Sequence, residues 1–132
     1  MRPADIATDT SSTESVIIHA CNVVESASNV KIDLVLTLPP TSPLRTADTI
    51  CEFVGYFDKV KARYDALLSL TESRADYWIR GKQGEFSRLF PHAPRRNQER
   101  QPLFIENSAL YITEKKALIL MKLVVCKLQS LF

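Results

Sequence analysis

Two hydroxyls and a guanidinium, those of Thr41, Ser42 and Arg45, crowd into the stretch LPPTSPLRTADTI, residues 38–50, together with Pro39, Pro40 and Pro43. The guanidinium is a planar fork that matches a carboxylate or a phosphate, and the hydroxyls both donate and accept hydrogen bonds. Each proline fixes its φ at about −65°, so the loop is organised before any ligand arrives. An apolar run, IDLVLTL, leads into it, which places the loop at the carboxyl end of an expected strand, where open α/β sheets bind their ligands. Binding a ligand that carries a carboxylate or a phosphate is the chemistry these residues suit. A rigid connector whose Arg45 faces water is the plainer alternative.

Other reactive residue types argue for less. His19 lies beside an apolar helical stripe with no nucleophile or carboxylate at a suggestive spacing, and reads as a packing or surface histidine. Asp5, Asp9 and Asp33 have no mutual spacing that marks a metal site. Cys21, Cys51 and Cys126 are odd in number, far apart and free of a CxxC spacing, so they read as free thiols of a reducing compartment. Arg95, Arg96 and Arg100 read as a solvated patch rather than a nucleic-acid contact, because no aromatics are interleaved with them. Tyr77, Trp78, Phe86 and Phe90 read as core or interface.

The elements that must position the strand-end loop are legible from periodicity. Thr10, Ser11 and Ser12 are N-cap candidates ahead of TESVIIHACNVVESA, where Val16, Ala20, Val23 and Ala27 recur at helical spacing and Glu14 and Glu25 lie off the stripe. IDLVLTL is short and apolar, and is expected as a strand buried on both faces, of the kind found in parallel sheets. Thr46 caps an expected helix from Asp48 to about Tyr64, with Ile50, Phe53, Val54 and Phe57 inward, and DALLSLT follows as a second strand. This alternation predicts an α/β fold. From Glu72 to Pro102 the chain turns polar and aromatic and predicts short excursions or a hairpin. FIENSALYIT is expected as a strand, EKKALILM as a helix and KLVVCKLQSLF as a last strand.

The chain has 132 residues, enough for one domain with a real core, and its 45% hydrophobic and 24% charged content is that of a soluble globular protein. A formal charge of +2 gives no reason to expect nucleic acid or membrane as a partner. The start, MRPADIATDT, lacks the form of a signal peptide, and the longest apolar run, residues 117–125, is interrupted by Lys122 and is too short to span a bilayer. The expected location is the cytoplasm.

Three segments together carry a resemblance. RPADIATDTSS (residues 2–12) resembles the RPxELAxD motif of the acylneuraminate cytidylyltransferases, the enzymes that make CMP-sialic acid and related CMP-nonulosonates. LPPTSPLRTADTI resembles their LLQPTSPLRTAEDI, and RRNQERQPLFIENSALYIT resembles their RRQDLPxVYxENGAxYIT. The three come in the family's order and span residues 2–113. The resemblance implies an incomplete nucleotide-diphosphosugar-transferase-like (Rossmann-like) three-layer sandwich over residues 1–132, with 72–102 as a dimerisation and sugar-site excursion. It implies a homodimer whose substrates are CTP and a sialic-acid-like nonulosonic acid. Their reaction gives the CMP-sugar and pyrophosphate with Mg²⁺ as cofactor. Arg2, Ser11, Ser12 and Thr13 match nucleotide-binding positions, and Thr41, Ser42, Arg45, Arg96, Gln98, Asn107 and Tyr111 match sugar-binding ones.

The departures from the family pattern are specific. Pro39 stands where the family has a Gln, which implies a sugar acid other than plain N-acetylneuraminate; Ser108 stands for the Gly of ENGA, and Asn97 for the Arg directly before the Gln. The family's Gly-rich phosphate loop precedes the first motif and its metal-binding Asp pair follows the last strand. The chain is therefore expected to be a central piece of such an enzyme, inactive by itself, with no metal ligand or catalytic residue assigned. A non-catalytic remnant that at most contacts a partner subunit is the alternative.

Overall fold

Ser12 starts the first helix through its own side chain. In the computed structural model, which describes residues 3–119, its Oγ accepts a hydrogen bond from the Ser15 amide at 3.1 Å, and α1 (Thr13–Ser28) follows. Asn29 closes the helix in the left-handed region (φ 53°), its amide donating to the Glu25 carbonyl. The inward face of α1 is not the expected one. Cys21 is its buried residue, whereas Val23 and Val24 are about half exposed and Ala20 and Ala27 are exposed. Glu25, expected off the packed stripe, accepts from the Ile32 amide at 2.8 Å and pairs with Lys115 at the start of α3 (Lys115–Ile119). These two contacts turn the helix so that its carboxylate, not its alanines, meets the rest of the chain. The hydrogen bond from Ile32, then Lys115, holds the Glu25 carboxyl below its ordinary pKa.

Thr46 caps α2 (Ala47–Val60) as expected, accepting from the Thr49 amide at 3.1 Å. The helix stops at Val60 rather than near Tyr64, because Lys61, Ala62 and Arg63 are exposed and bury nothing that would hold a further turn. Its apolar face packs against a three-stranded sheet ordered β1 (Leu34–Thr37), β5 (Leu103–Glu114), β2 (Ala66–Ser73). Phe53 and Phe57 of α2 meet Leu67, Leu110 and Ile112, with Leu36, Ile50 and Val54 around them. Leu110 and Ile112 are two residues apart and share a face, as a strand requires.

The sheet departs from the parallel arrangement expected of IDLVLTL. β1 pairs antiparallel with β5, Leu34 opposite Glu114 and Thr37 opposite Tyr111. On the other side the Glu114 amide donates to the Asp65 carbonyl while Leu110 faces Ser69, so β2 also runs against β5. β1 and β2 therefore point the same way, joined through α2, with β5 between them: a split β-α-β unit. Burial on both faces belongs to β2, where Ala66, Leu67 and Leu68 are all buried, and not to β1, whose Leu34 is exposed. An apolar run states that a strand is wanted, but not which later segment will pair with it.

The chain divides into two compact units, residues 3–69 with 108–119, and residues 70–107. The second contains the expected excursion at 72–102 and holds a hairpin, β3 (Trp78–Arg80) against β4 (Phe86–Arg88), with Trp78 opposite Arg88. Gly84 takes φ +90° in its turn, a conformation that side chains disfavour. The expected last strand lies outside the described residues, as does the end of the helix predicted over EKKALILM. Among the described residues no helix is long and apolar enough to cross a membrane.

Candidate functional site at the end of strand β1

Leaving β1, the chain makes a turn in which the Ser42 amide donates to the Pro39 carbonyl at 3.3 Å, with Pro40 at the position that favours proline. Opposite the strand end, β5 carries a local defect. Ser108 sits at φ +53°, a left-handed conformation that costs a residue with a Cβ about 1–2 kcal/mol. The β1–β5 pairing ends at Thr37 opposite Tyr111, so the carbonyls of Ser108 and Ala109 lie beyond it. Side chains of the loop take them up. Arg45 Nη1 donates to the Ala109 carbonyl at 2.8 Å and to the Pro39 carbonyl at 2.7 Å, and Ser42 Oγ makes a long 3.5 Å bond to the Ser108 carbonyl.

On the far side of β5, Ser69 does the same work. Its Oγ accepts from the Leu110 amide at 2.9 Å and lies 3.3 Å from the Leu110 carbonyl. Ser69 was missed in the sequence, although a hydroxyl set between the leucines of DALLSLT is a signal of a backbone contact. The structure thus brings together Thr41, Ser42 and Arg45 on the loop with the strand segment that carries Tyr111. Thr41 is exposed and its hydroxyl enters no hydrogen bond among the described residues, whereas Ser42, Arg45 and Tyr111 are half-buried.

In the unit of residues 70–107, Asn107 Nδ2 donates to Thr71 Oγ1 at 3.1 Å. Arg96 is exposed beside Glu99, and Gln98 lies in the exposed 3₁₀ turn Asn97–Glu99. The basic cluster is not uniformly solvated, as it was expected to be. Arg100 has a nearly buried side chain whose guanidinium donates to the carbonyls of Pro94, Arg74 and Arg95 and lies 3.3 Å from Asp76. Arg88 reaches the same carboxylate at 2.9 Å and also donates to the Pro91 and Ala93 carbonyls. Two guanidiniums keyed on Asp76 thereby fasten the 91–95 loop. A cavity of about 410 Å³ opens beside it, walled mostly by apolar side chains such as Leu89, Phe90, Pro91 and Leu103. Of its polar wall residues Asp76, His92, Arg100 and Gln101, Asp76 and Arg100 bond to each other and Arg100 also to the backbone.

Of the residues matched to nucleotide positions, Arg2 lies outside the described residues. Ser12 Oγ is spent on the α1 cap, Ser11 Oγ accepts from the Thr8 amide at 3.2 Å, and Thr13 is the first residue of the helix. Half-buried His19 stands on α1, Cys21 is buried and Cys51 exposed, both as free thiols; Cys126 lies outside the described residues. Among the described residues no three His, Cys, Asp or Glu side chains are grouped to hold a metal ion. No known protein family's sequence model matches the chain.

Proposed function

We propose that the chain carries the sugar-acid side of a nucleotidyltransferase of the nucleotide-diphosphosugar-transferase type, which activates a sialic-acid-like nonulosonic acid with CTP. The supporting observation is the Arg45 bond to Ala109, which ties LPPTSPLRT to ENSALYIT across 64 residues of sequence. The pairing of β1 with β5 sets the two segments side by side, and a sugar site shared between them would use that proximity. In the reaction, the anomeric hydroxyl oxygen of the sugar acid gives up its proton to solvent and bonds to the α-phosphorus of CTP, the bond from that phosphorus to the bridging oxygen breaks, and pyrophosphate leaves with the bonding pair. The loop's part is to hold the sugar acid in place, since positioning is a large share of such catalysis.

The unit of residues 70–107 is proposed as the surface of a homodimer. Trp78, Ile79 and Phe86 are half exposed or more, and a two-stranded hairpin is marginal in water without something to pack on. The functional reading is tested by thermal unfolding in the presence of ligand. A nonulosonic acid at about a hundred times its Kd should stabilise the protein by about 2.7 kcal/mol, while a neutral hexosamine without the keto-acid should not. A melting temperature indifferent to the acid at every concentration would overturn it.

A further inference from the structure

We infer that Arg45 is a positioning residue and not a contact of the sugar acid, an inference that rests on the sugar-site reading for its ligand but not for its geometry. Sequence resemblance places the guanidinium among sugar-binding groups, where its fork would suit a carboxylate. The structure directs it elsewhere. One nitrogen, Nη1, stands between two backbone carbonyls, 2.7 Å from that of Pro39 and 2.8 Å from that of Ala109. The first is on the strand-end loop and the second is on β5 just past its left-handed residue Ser108. The Pro39 carbonyl also accepts from the Ser42 amide of the same turn, so the guanidinium reinforces a turn that the backbone already closes. A guanidinium engaged there holds the Pro39–Pro43 turn in register with the strand. The exposed hydroxyl of Thr41, on the same turn, is then the loop's group free to meet a ligand.

The geometry makes a prediction that a carboxylate-binding arginine does not share. Because a single nitrogen serves both carbonyls, a lysine, one bond shorter but with three donors on one nitrogen, can take over much of the role. A bidentate guanidinium–carboxylate pair tolerates no such replacement. Arg45→Lys and Arg45→Ala are therefore compared with the unaltered chain by amide hydrogen exchange and by titration with N-acetylneuraminate and a diamino nonulosonic acid. In Arg45→Ala, exchange at Ser42, Leu44 and Ala109 should quicken at least tenfold and acid affinity should fall about tenfold. In Arg45→Lys, both should return to within about threefold of the unaltered chain. Native-like exchange in Arg45→Lys with affinity as poor as that of Arg45→Ala would overturn the inference and make Arg45 a ligand contact. Unchanged exchange in both variants would overturn it as well. Should the unaltered chain bind neither acid, the sugar-site reading fails, and the exchange measurements alone decide whether Arg45 positions the loop.

Discussion

Ser108 holds a conformation that its side chain resists, and replacing it tests whether this left-handed position in β5 is a strained feature. At φ +53° the Cβ crowds the following carbonyl, a cost of about 1–2 kcal/mol that Ser108→Gly removes. Glycine returns about 0.5–1 kcal/mol of that through the greater freedom of the unfolded chain. The net gain is on the order of 0.5–1 kcal/mol. For a chain of this size it raises the melting temperature by roughly 2–4 °C and, with a urea m value of about 2 kcal/mol/M, moves the midpoint by roughly 0.3–0.5 M. Far-ultraviolet circular dichroism is the suitable probe, since the one tryptophan, Trp78, reports on the other unit. Ser108→Ala is the control: it removes the hydroxyl but keeps the Cβ, and should gain nothing. A glycine variant no more stable than the parent, or an alanine variant that matches it, would refute the reasoning.

Thr46→Ala removes the acceptor that caps α2 and should cost about 1 kcal/mol in urea unfolding, whereas an unaltered midpoint would mean that the cap is not formed. The hydrogen bond from Arg88, reinforced by the charge of Arg100 against some desolvation, holds the Asp76 carboxyl below its ordinary pKa. A carboxyl depressed in the folded state stabilises above its unfolded pKa, and that contribution disappears as pH falls through the folded value. Asp76→Asn should therefore be less stable than the parent at neutral pH, and the gap should close below about pH 4, while a gap independent of pH would count against the pairing. On the proposed reading Pro39 stands where the resembling motif has a side-chain amide, so the parent should bind a diamino nonulosonic acid better than N-acetylneuraminate and Pro39→Gln should narrow the ratio; equal affinities in the parent would defeat the idea.

What the sequence showed was mostly local. Ser12 and Thr46 are legible as caps because a cap is a property of four consecutive residues, and the strands at Leu34, Ala66 and Leu103 are legible as apolar runs. The facing of α1 was not, because two stripes on it are plausible and the choice is made by Glu25 meeting Lys115, 90 residues away. The pairing of β1 with β5 was hidden for the same reason. At the candidate site, the sequence named Thr41, Ser42 and Arg45 from their types, but a donor's partner cannot be read from its type. Arg45 looked like a ligand fork and reaches two carbonyls, and Arg100 looked solvated and is enclosed by its own loop.

The proposed sugar-acid site is tested most directly by mapping backbone amide shifts of the labelled chain during titration with a diamino nonulosonic acid. Binding at the strand end predicts saturable shifts at Thr41, Ser42, Leu44 and Tyr111, with the hairpin residues Ile79 and Ser87 unmoved, and Thr41→Val should weaken the fitted affinity. Shifts absent at saturating acid, or centred on residues away from the Pro39–Arg45 loop and β5, would contradict the assignment.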